Sequence, residues 1–270
     1  MNTHTWTGFH IFLSEQAQLE GYLKAVVRPL TNKLQQAGLI DAWFFLRYWE
    51  GGPHLRFRVR NLPEHEKMNV REALLAGVSP FVSANPVSRS AFYANSKFDG
   101  EAVNTDTLPW FEEGSVEVIP YAPEFERYGG KTAIQASEEA FWHSSDMVSS
   151  LICETGVPAS KRQDVAIDLM IITARELSQS ASLATFFNTY AQFWRGFQHQ
   201  PEAALGNAKA KFEGNRQAYV SRLNNVLAEN YRPGFGAACN AWSARLKEAS
   251  VQLKEQAGNG TLIAPYVNKP

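Results

Sequence analysis

In the first half of the chain apolar and polar residues alternate in short runs. In the second half apolar residues recur at helical intervals. "WTGFHIFL" (Trp6 to Leu13) is an aromatic and β-branched run that reads as a strand, ended by Ser14. The following "SEQAQLEGYLKAVVRPLTNKLQQAGL" repeats Leu19, Leu23, Val26, Val27, Leu30 and Leu34 with helical spacing. Ser14 is placed to cap its start and Gly38 to close its end, and Pro29 inside it predicts a kink. "DAWFFLRY" and "HLRFRVR" come next as two strands, and the "WEGGP" between them has the glycines and proline of a hairpin loop. "SAFYANSKF" (Ser90 to Phe98) and "GSVEVIPY" (Gly114 to Tyr121) are further predicted strands.

From Lys131 onward the pattern turns helical. "DVAIDLMIITARELS" is apolar almost all round, as a central helix would be, and "ASLATFFNTYAQFWRGF", "EGNRQAYVSRLNNVLAE" and "NAWSARLKEASVQLKEQ" follow as amphipathic helices. Strands first and helices after predict an α+β fold. The expected architecture is an antiparallel or mixed sheet from the N-terminal half, packed against a predominantly helical C-terminal half. One domain is expected over residues 1–270, strand-rich over 1–130 and helical over 131–260. No GxGxxG follows a strand and no GKS/T occurs, so nothing supports a dinucleotide or P-loop site.

Composition narrows the function classes. A formal net charge of −1 gives no long-range field to attract nucleic acid or an anionic membrane. Cys153 and Cys239 are the only cysteines, without a CxxC or a Cys/His cluster, so neither a disulfide framework nor a structural zinc site is expected and a reducing cytoplasm fits. The N-terminal "MNTHTWTGFHIFLSEQ" lacks the basic region and long apolar core of a signal peptide. No apolar run approaches the roughly 20 residues of a spanning helix.

The candidate chemistry lies in "FFLRYWEGGPHLRFRV" (Phe44 to Val59), where Arg47, His54, Arg56 and Arg58 stand in an otherwise apolar stretch. In a strand His54, Arg56 and Arg58 share one face, with the arginine Cα atoms about 7 Å apart, and Leu55, Phe57 and Val59 share the other. Adjacent like charges repel unless an acid or an anion sits between them. One reading is a solvated face paired to surface acids. The other is a grip for an anion, since a guanidinium matches a carboxylate bidentately. "YAPEFERYGG" (Tyr121 to Gly130) reads as a turn in which Glu124 and Arg127, three apart, share a side. Its glycine pair permits close backbone approach of a ligand.

"WFFLRYWEGGPHLRFRV", then "YAPEFERYGG" and "ASEEAFWHSSDMV", together resemble the lantibiotic dehydratase C-terminal domain, which also occurs as a stand-alone thiopeptide-type bacteriocin biosynthesis protein. The resemblance begins at "TWTGFHIFL" and weakens toward the C-terminus; HLRxR and ExERYGG are specific in combination. It implies a cytoplasmic elimination enzyme. Serine and threonine side chains of a ribosomally made precursor peptide are glutamylated by a separate partner that uses glutamyl-tRNA. The domain then removes glutamate, leaving dehydroalanine or dehydrobutyrine. The family's HLRxR arginines match Arg56 and Arg58, and its ExER acid and arginine match Glu124 and Arg127. The resemblance implies that Arg56 and Arg58 hold the glutamyl group, that Arg127 meets the enolate or leaving carboxylate, and that Glu124 orients an arginine or serves as base. Arg47, Tyr128 and His143 are the expected substrate-binding contacts. No metal or redox cofactor, direct nucleic-acid contact or membrane is implied, and a homodimer stays open.

The chain departs from the family in lacking the HMxxNR segment near the C-terminus; in "KFEGNRQAYV" Lys211 stands where its histidine would be. His54, on the arginines' own face, is the best placed substitute, followed by His143 and His199, while His4, His10 and His65 offer nothing specific. Trp43, Trp49, Trp142 and Trp194 are candidates for a peptide groove, with core packing expected of Trp43 and Trp194. Two alternatives to elimination stand beside it. One is the formal [4+2] cycloaddition of thiopeptide pyridine synthases, which resemble this family. The other is a non-catalytic module that binds the precursor by strand addition.

Overall fold

The structure is a computed structural model that describes residues 5–94, 104–153, 158–178, 182–195 and 200–263. The chain forms two compact units. In the first, strands β1 (Trp6–Phe12), β2 (Trp43–Tyr48), β3 (His54–Arg60) and β4 (Val116–Val118) make one antiparallel sheet in the order β2-β3-β1-β4. The expected α+β class is what the chain adopts, and the sheet is antiparallel throughout.

The hairpin between β2 and β3 turns on Gly51 (φ 85°) and Gly52 (φ 113°), left-handed conformations that side chains with a Cβ rarely take. Crowding adds a second reason, because a Cβ on Gly51 would meet the Phe111 ring at 3.0 Å.

β1 passes to β2 through one long helix: α1 (Gln16–Tyr22), a π-helical turn (Leu23–Val27) and α2 (Arg28–Gln36). The predicted disturbance at Pro29 therefore takes the form of a π turn just before it, which relieves the clash between the ring and the preceding turn's carbonyl. Gly38 closes the helix as expected: at φ 66° it donates to the Gln35 carbonyl while Leu39 donates to that of Leu34, both at 3.0 Å. Ser14 is not the cap. Glu15 holds that position without a side-chain bond, and the Ser14 hydroxyl is buried with no partner among the described residues.

The strand expected at Ser90–Phe98 is instead a short helix, α4 (Arg89–Tyr93); residues 95–98 lie outside the described ones. Ser88 caps it, its hydroxyl accepting the Ala91 N–H at 3.3 Å. That local bond and the absence of an adjoining strand in the described sheet outweigh the β-preference of Phe92 and Tyr93.

Phe9, Ile11, Trp43, Leu55, Phe57 and Val59 face one side of the sheet and are buried against Tyr22, Leu23 and Val27 of the long helix and Val70 and Leu74 of α3 (Lys67–Ala76). Burying each large side chain contributes about 1.5–3 kcal/mol, so this face holds the unit together. Helix α5 (Ala133–Cys153) shields the outer edge of β2. Phe45 donates its N–H to the Ser145 hydroxyl at 3.1 Å, and that hydroxyl turns back to the Phe45 carbonyl at 3.4 Å, so an exposed strand edge is closed by a side chain.

The second unit contains α6 (Ala159–Leu177), α7 (Leu183–Arg195), α8 (Pro201–Gly214), α9 (Arg216–Leu227) and α10 (Gly236–Gly258). α6 is central, packing on α7, α9 and α10 through residues such as Ile171 and Ile172. It also buries two acids. Asp168 receives Arg222 in a bidentate pair and Arg232 at 3.0 Å, while Glu176 accepts from Arg175 at 2.7 Å and from the Ser243 hydroxyl at 2.8 Å. Trp194 departs from its expected core role: on α7 it is 44% exposed, whereas Trp43 is fully buried. Among the described residues no helix is long and apolar enough to cross a membrane.

Candidate functional site

The face of the sheet opposite the core carries the chemistry, and strand register builds it. Along β3 the outward residues are His54, Arg56, Arg58 and Arg60; Tyr48, Leu46 and Phe44 pair with the first three from β2, and Phe12, His10 and Gly8 from β1. Solvent does not bathe this face. His54 is 1% exposed, Arg58 9% and Arg60 8%.

Arg60 is spent on structure. It binds Asp41 at 2.8 Å and Glu139, and lies over the rings of Trp6 and Trp142. Burial works against its charge, but the bonds to Asp41 and Glu139 outweigh it and raise its pKa.

Arg56 and Arg58 differ. Arg56 lies 3.4 Å over the Tyr48 ring and 3.5 Å from the Glu50 carboxylate. Arg58 lies over Tyr121 at 4.4 Å and Phe44 at 5.2 Å, and its buried Nε has no hydrogen-bond partner among the described residues. Burial pulls both pKa values down from the guanidinium range, opposed by nearby Glu124 among other groups. Two cations are therefore held against aromatic faces with less anionic charge than they can bind.

His54 sets the geometry of Arg56. Its Nδ1 is 2.7 Å from the Gly52 carbonyl, which can only accept, so Nδ1 carries the proton. Nε2 is thereby left as an acceptor, and Arg56 donates its Nε–H to it at 3.2 Å. His10 stacks on His54 with ring centroids 4.7 Å apart. Burial first, then for His10 the adjoining His54 ring, and for both the nearby Arg56 and Arg58 lower His10 to about 3 and His54 to about 4. Both rings are neutral at pH 7. The open acid or base position expected of His54 is absent here, because both of its nitrogens are engaged and the ring is closed off from solvent.

The Tyr121–Gly130 segment folds as the expected turn. Arg127 and Tyr128 donate backbone N–H groups to the Glu124 carbonyl at 3.0 and 3.1 Å, and Gly129 (φ 86°) and Gly130 (φ 101°) lead into α5. The Glu124 carboxylate receives Arg127 at 3.0 Å, and its charge reaches both Arg56 and Arg58. Tyr121 and Tyr128 also raise the pKa of Arg58, and the Tyr121 phenol is itself raised by burial and by its bond to Glu138.

Of the sequence-derived residues, Arg56, Arg58, Glu124 and Tyr128 come together, and Arg127 joins them through Glu124. Arg47 does not: it pairs with Leu55 in the register, so its exposed side chain leaves the opposite face. His143 stacks on Trp142 and lies 3.9 Å from Glu139, beside Arg60. His199 lies outside the described residues. The structure adds His10, Tyr48 and Tyr121 to the site. The alternation Trp6, Gly8, His10, Phe12 against Phe9 and Ile11 carries a signal for His10, since a histidine and a glycine mark a face that is not plain core.

The family model described as "Lantibiotic biosynthesis dehydratase C-term" matches residues 6–267, and the chain belongs to that family. Among solved structures it is similar to "Pyridine synthase, TbtD, from thiomuracin biosynthesis" (TM-score 0.73, 20% identity, 95% of this chain and 84% of that one). It is also similar to TsrL (TM-score 0.67, 18% identity, 96% of this chain and 71% of that one). At these identities the likeness is one of fold. No curated protein matches the chain.

Proposed function

We propose that this chain eliminates glutamate from glutamylated serine or threonine side chains of a ribosomally made precursor peptide, leaving dehydroalanine or dehydrobutyrine. The observation that carries the reading is the buried Arg58 Nε without a partner, beside an Arg56 held on an aromatic ring: together they form an anion site short of its anion. A bound glutamyl carboxylate supplies it.

In the reaction the Cα proton leaves, a Cα–Cβ double bond forms, and the Cβ–O bond breaks to release glutamate as a carboxylate. Guanidiniums fixed beforehand stabilise the enolate-like charge as it develops, without reorganising. Arg56 and Arg58 hold the glutamyl group, and Arg127 meets the enolate or the leaving carboxylate. In the substrate-free site Glu124 pairs with Arg127 and reaches Arg56 and Arg58 only through its charge. An incoming carboxylate draws Arg127 away from it, and the freed Glu124 takes the Cα proton. His54 is a positioning residue that aligns Arg56. Tyr128, beside Arg58, contacts the substrate. The chemistry needs no cofactor, but it does need a partner protein that glutamylates the peptide, in the cytoplasm where such precursors are made.

A second reading is formal [4+2] cycloaddition. It is favoured by the neutral, enclosed state of His10 and His54 and by the fold shared with TbtD. Mass analysis separates the two. With a glutamylated peptide, elimination lowers the mass by one glutamic acid per site; with a fully dehydrated peptide, cycloaddition removes water and the leader. Full activity of Arg56→Lys and Arg58→Lys on the first peptide would overturn the elimination scheme.

A further inference from the structure

A cavity of about 320 Å³ lies at the hairpin end of the same sheet face. Phe12, Pro53, Pro86, Val87, Trp110 and Phe111 give it mostly apolar walls. The walls are set in advance: Phe12 stacks on Phe111 at 4.6 Å, and Trp110 sits against Gly52 where a Cβ would come within 3.4 Å.

Most polar groups of the lining are already spent. Glu113 accepts the backbone N–H of Ser14 at 3.2 Å and of Ser83 at 3.1 Å, Ser88 caps α4, and Arg89 donates to the Asp106 and Leu108 carbonyls at 3.0 Å each. The buried Ser14 hydroxyl has no partner among the described residues, and the Glu112 carboxylate is exposed. A preformed apolar pocket at the small end of the usual 300–1,000 Å³ range takes a side chain rather than a cofactor. The Glu112 charge rejects an acidic one.

Phe12, a wall of the cavity, also touches His54, with ring centroids 4.6 Å apart, and His54 in turn holds Arg56, so the cavity adjoins the arginine row. From Pro53 or His54 to Arg56 is two or three strand residues, about 7–10 Å, which an extended peptide covers in two to four residues. We propose that this cavity is a specificity subsite for the precursor peptide, taking an apolar or aromatic side chain two to four residues from the residue being modified. The proposal rests on the elimination reading and names the sequence context that site selects.

The test uses the full chain and synthetic Gly/Ala peptides in which diaminopropionate replaces serine, so that the glutamyl group hangs on an amide that cannot eliminate. A single Phe, Ala or Asp is walked through the six positions on either side, and affinity is measured by fluorescence anisotropy. Phe at one or more of the positions two to four residues away is expected to tighten binding roughly tenfold over Ala, the return for burying one aromatic side chain, while Asp there weakens it. Val87→Trp, which fills the cavity, is expected to abolish the Phe gain while leaving the Ala peptide's affinity unchanged. Glu112→Lys, at an exposed position, is expected to relieve the Asp penalty. Affinity indifferent to the residue at every position, or a Phe gain that survives Val87→Trp, overturns the subsite. Because binding is read without turnover, a Phe gain sensitive to Val87→Trp alongside inert serine-ester peptides would uphold the pocket and sink the elimination chemistry instead.

Discussion

The buried acids of the helical unit and the buried cations of the sheet are treated in opposite ways. In the helical unit Asp168 and Glu176 are almost wholly enclosed, and each is matched by hydrogen-bond donors: Arg222 and Arg232 for the first, Arg175 and Ser243 for the second. On the sheet the enclosed charges are cations, and their cover is aromatic rather than anionic. Arg56 rests on Tyr48 and Arg58 on Tyr121, and the Arg58 Nε has no hydrogen-bond partner among the described residues. A buried ion that is fully paired is committed to the fold. A buried ion that is underpaired costs stability and retains capacity for a ligand. Arg60, on the same strand but paired with Asp41 and Glu139, shows that the difference follows the partners and not the strand.

The contrast can be broken most severely at Asp168. Asp168→Ala leaves Arg222 and Arg232 without their shared acid and is expected to cost about 3–5 kcal/mol in urea unfolding. Arg58→Met should do the reverse. Stability stays level or rises, because an underpaired buried charge is replaced by apolar volume, while kcat/KM for glutamylated peptide falls about 10²–10³-fold. If Arg58→Met were as destabilising as Asp168→Ala, Arg58 would belong to the structural class.

Acid should distinguish the units as well. His10 and His54 have folded pKa values of about 3 and 4, below the unfolded value near 6.5. The unfolded chain therefore binds more protons between those limits. The stability these rings contribute is complete above pH 6.5 and is lost as pH falls toward 4 and then 3, by up to about 1.4 kcal/mol per pH unit for each ring. Urea titrations of wild type and His10→Phe at pH 7 and 5 test this, with the variant expected to lose less on acidification. The smallest stability effect is expected at Glu124, whose pairing with Arg127 is solvent-exposed: Glu124→Gln should shift unfolding by less than about 1 kcal/mol. Its turnover should nonetheless fall about 10²-fold or more if the carboxylate accepts the Cα proton.

Particular residues mark how far local reasoning reached. The period-two alternation of HLRFRVR put His54, Arg56 and Arg58 on one face, and the structure agrees down to the burial of Leu55, Phe57 and Val59 behind them. The ExER turn and the Gly38 helix closure were equally legible, because each depends on bonds among residues a few positions apart. The aromatic residues of Ser90–Phe98 look the same whether they pair in a sheet or follow a capping serine, so the predicted strand gives way to the helix at Arg89–Tyr93. Arg47 is close to the other arginines in the chain, yet its position in β2 sends it to the other face.

The sequence by itself determined which residues share a face, where the helices stop, and that cationic groups would stand on a strand otherwise built for burial. Only the tertiary structure decided what surrounds them. His10 comes to stack on His54 because β1 pairs with β3 across more than forty residues of chain, and Glu124 reaches both arginines from a turn still further along. Alternation and capping follow from the geometry of adjacent peptide units. Partners across strands follow from how the whole apolar core packs, so the environment that leaves Arg58 short of an anion is a property of the assembled fold.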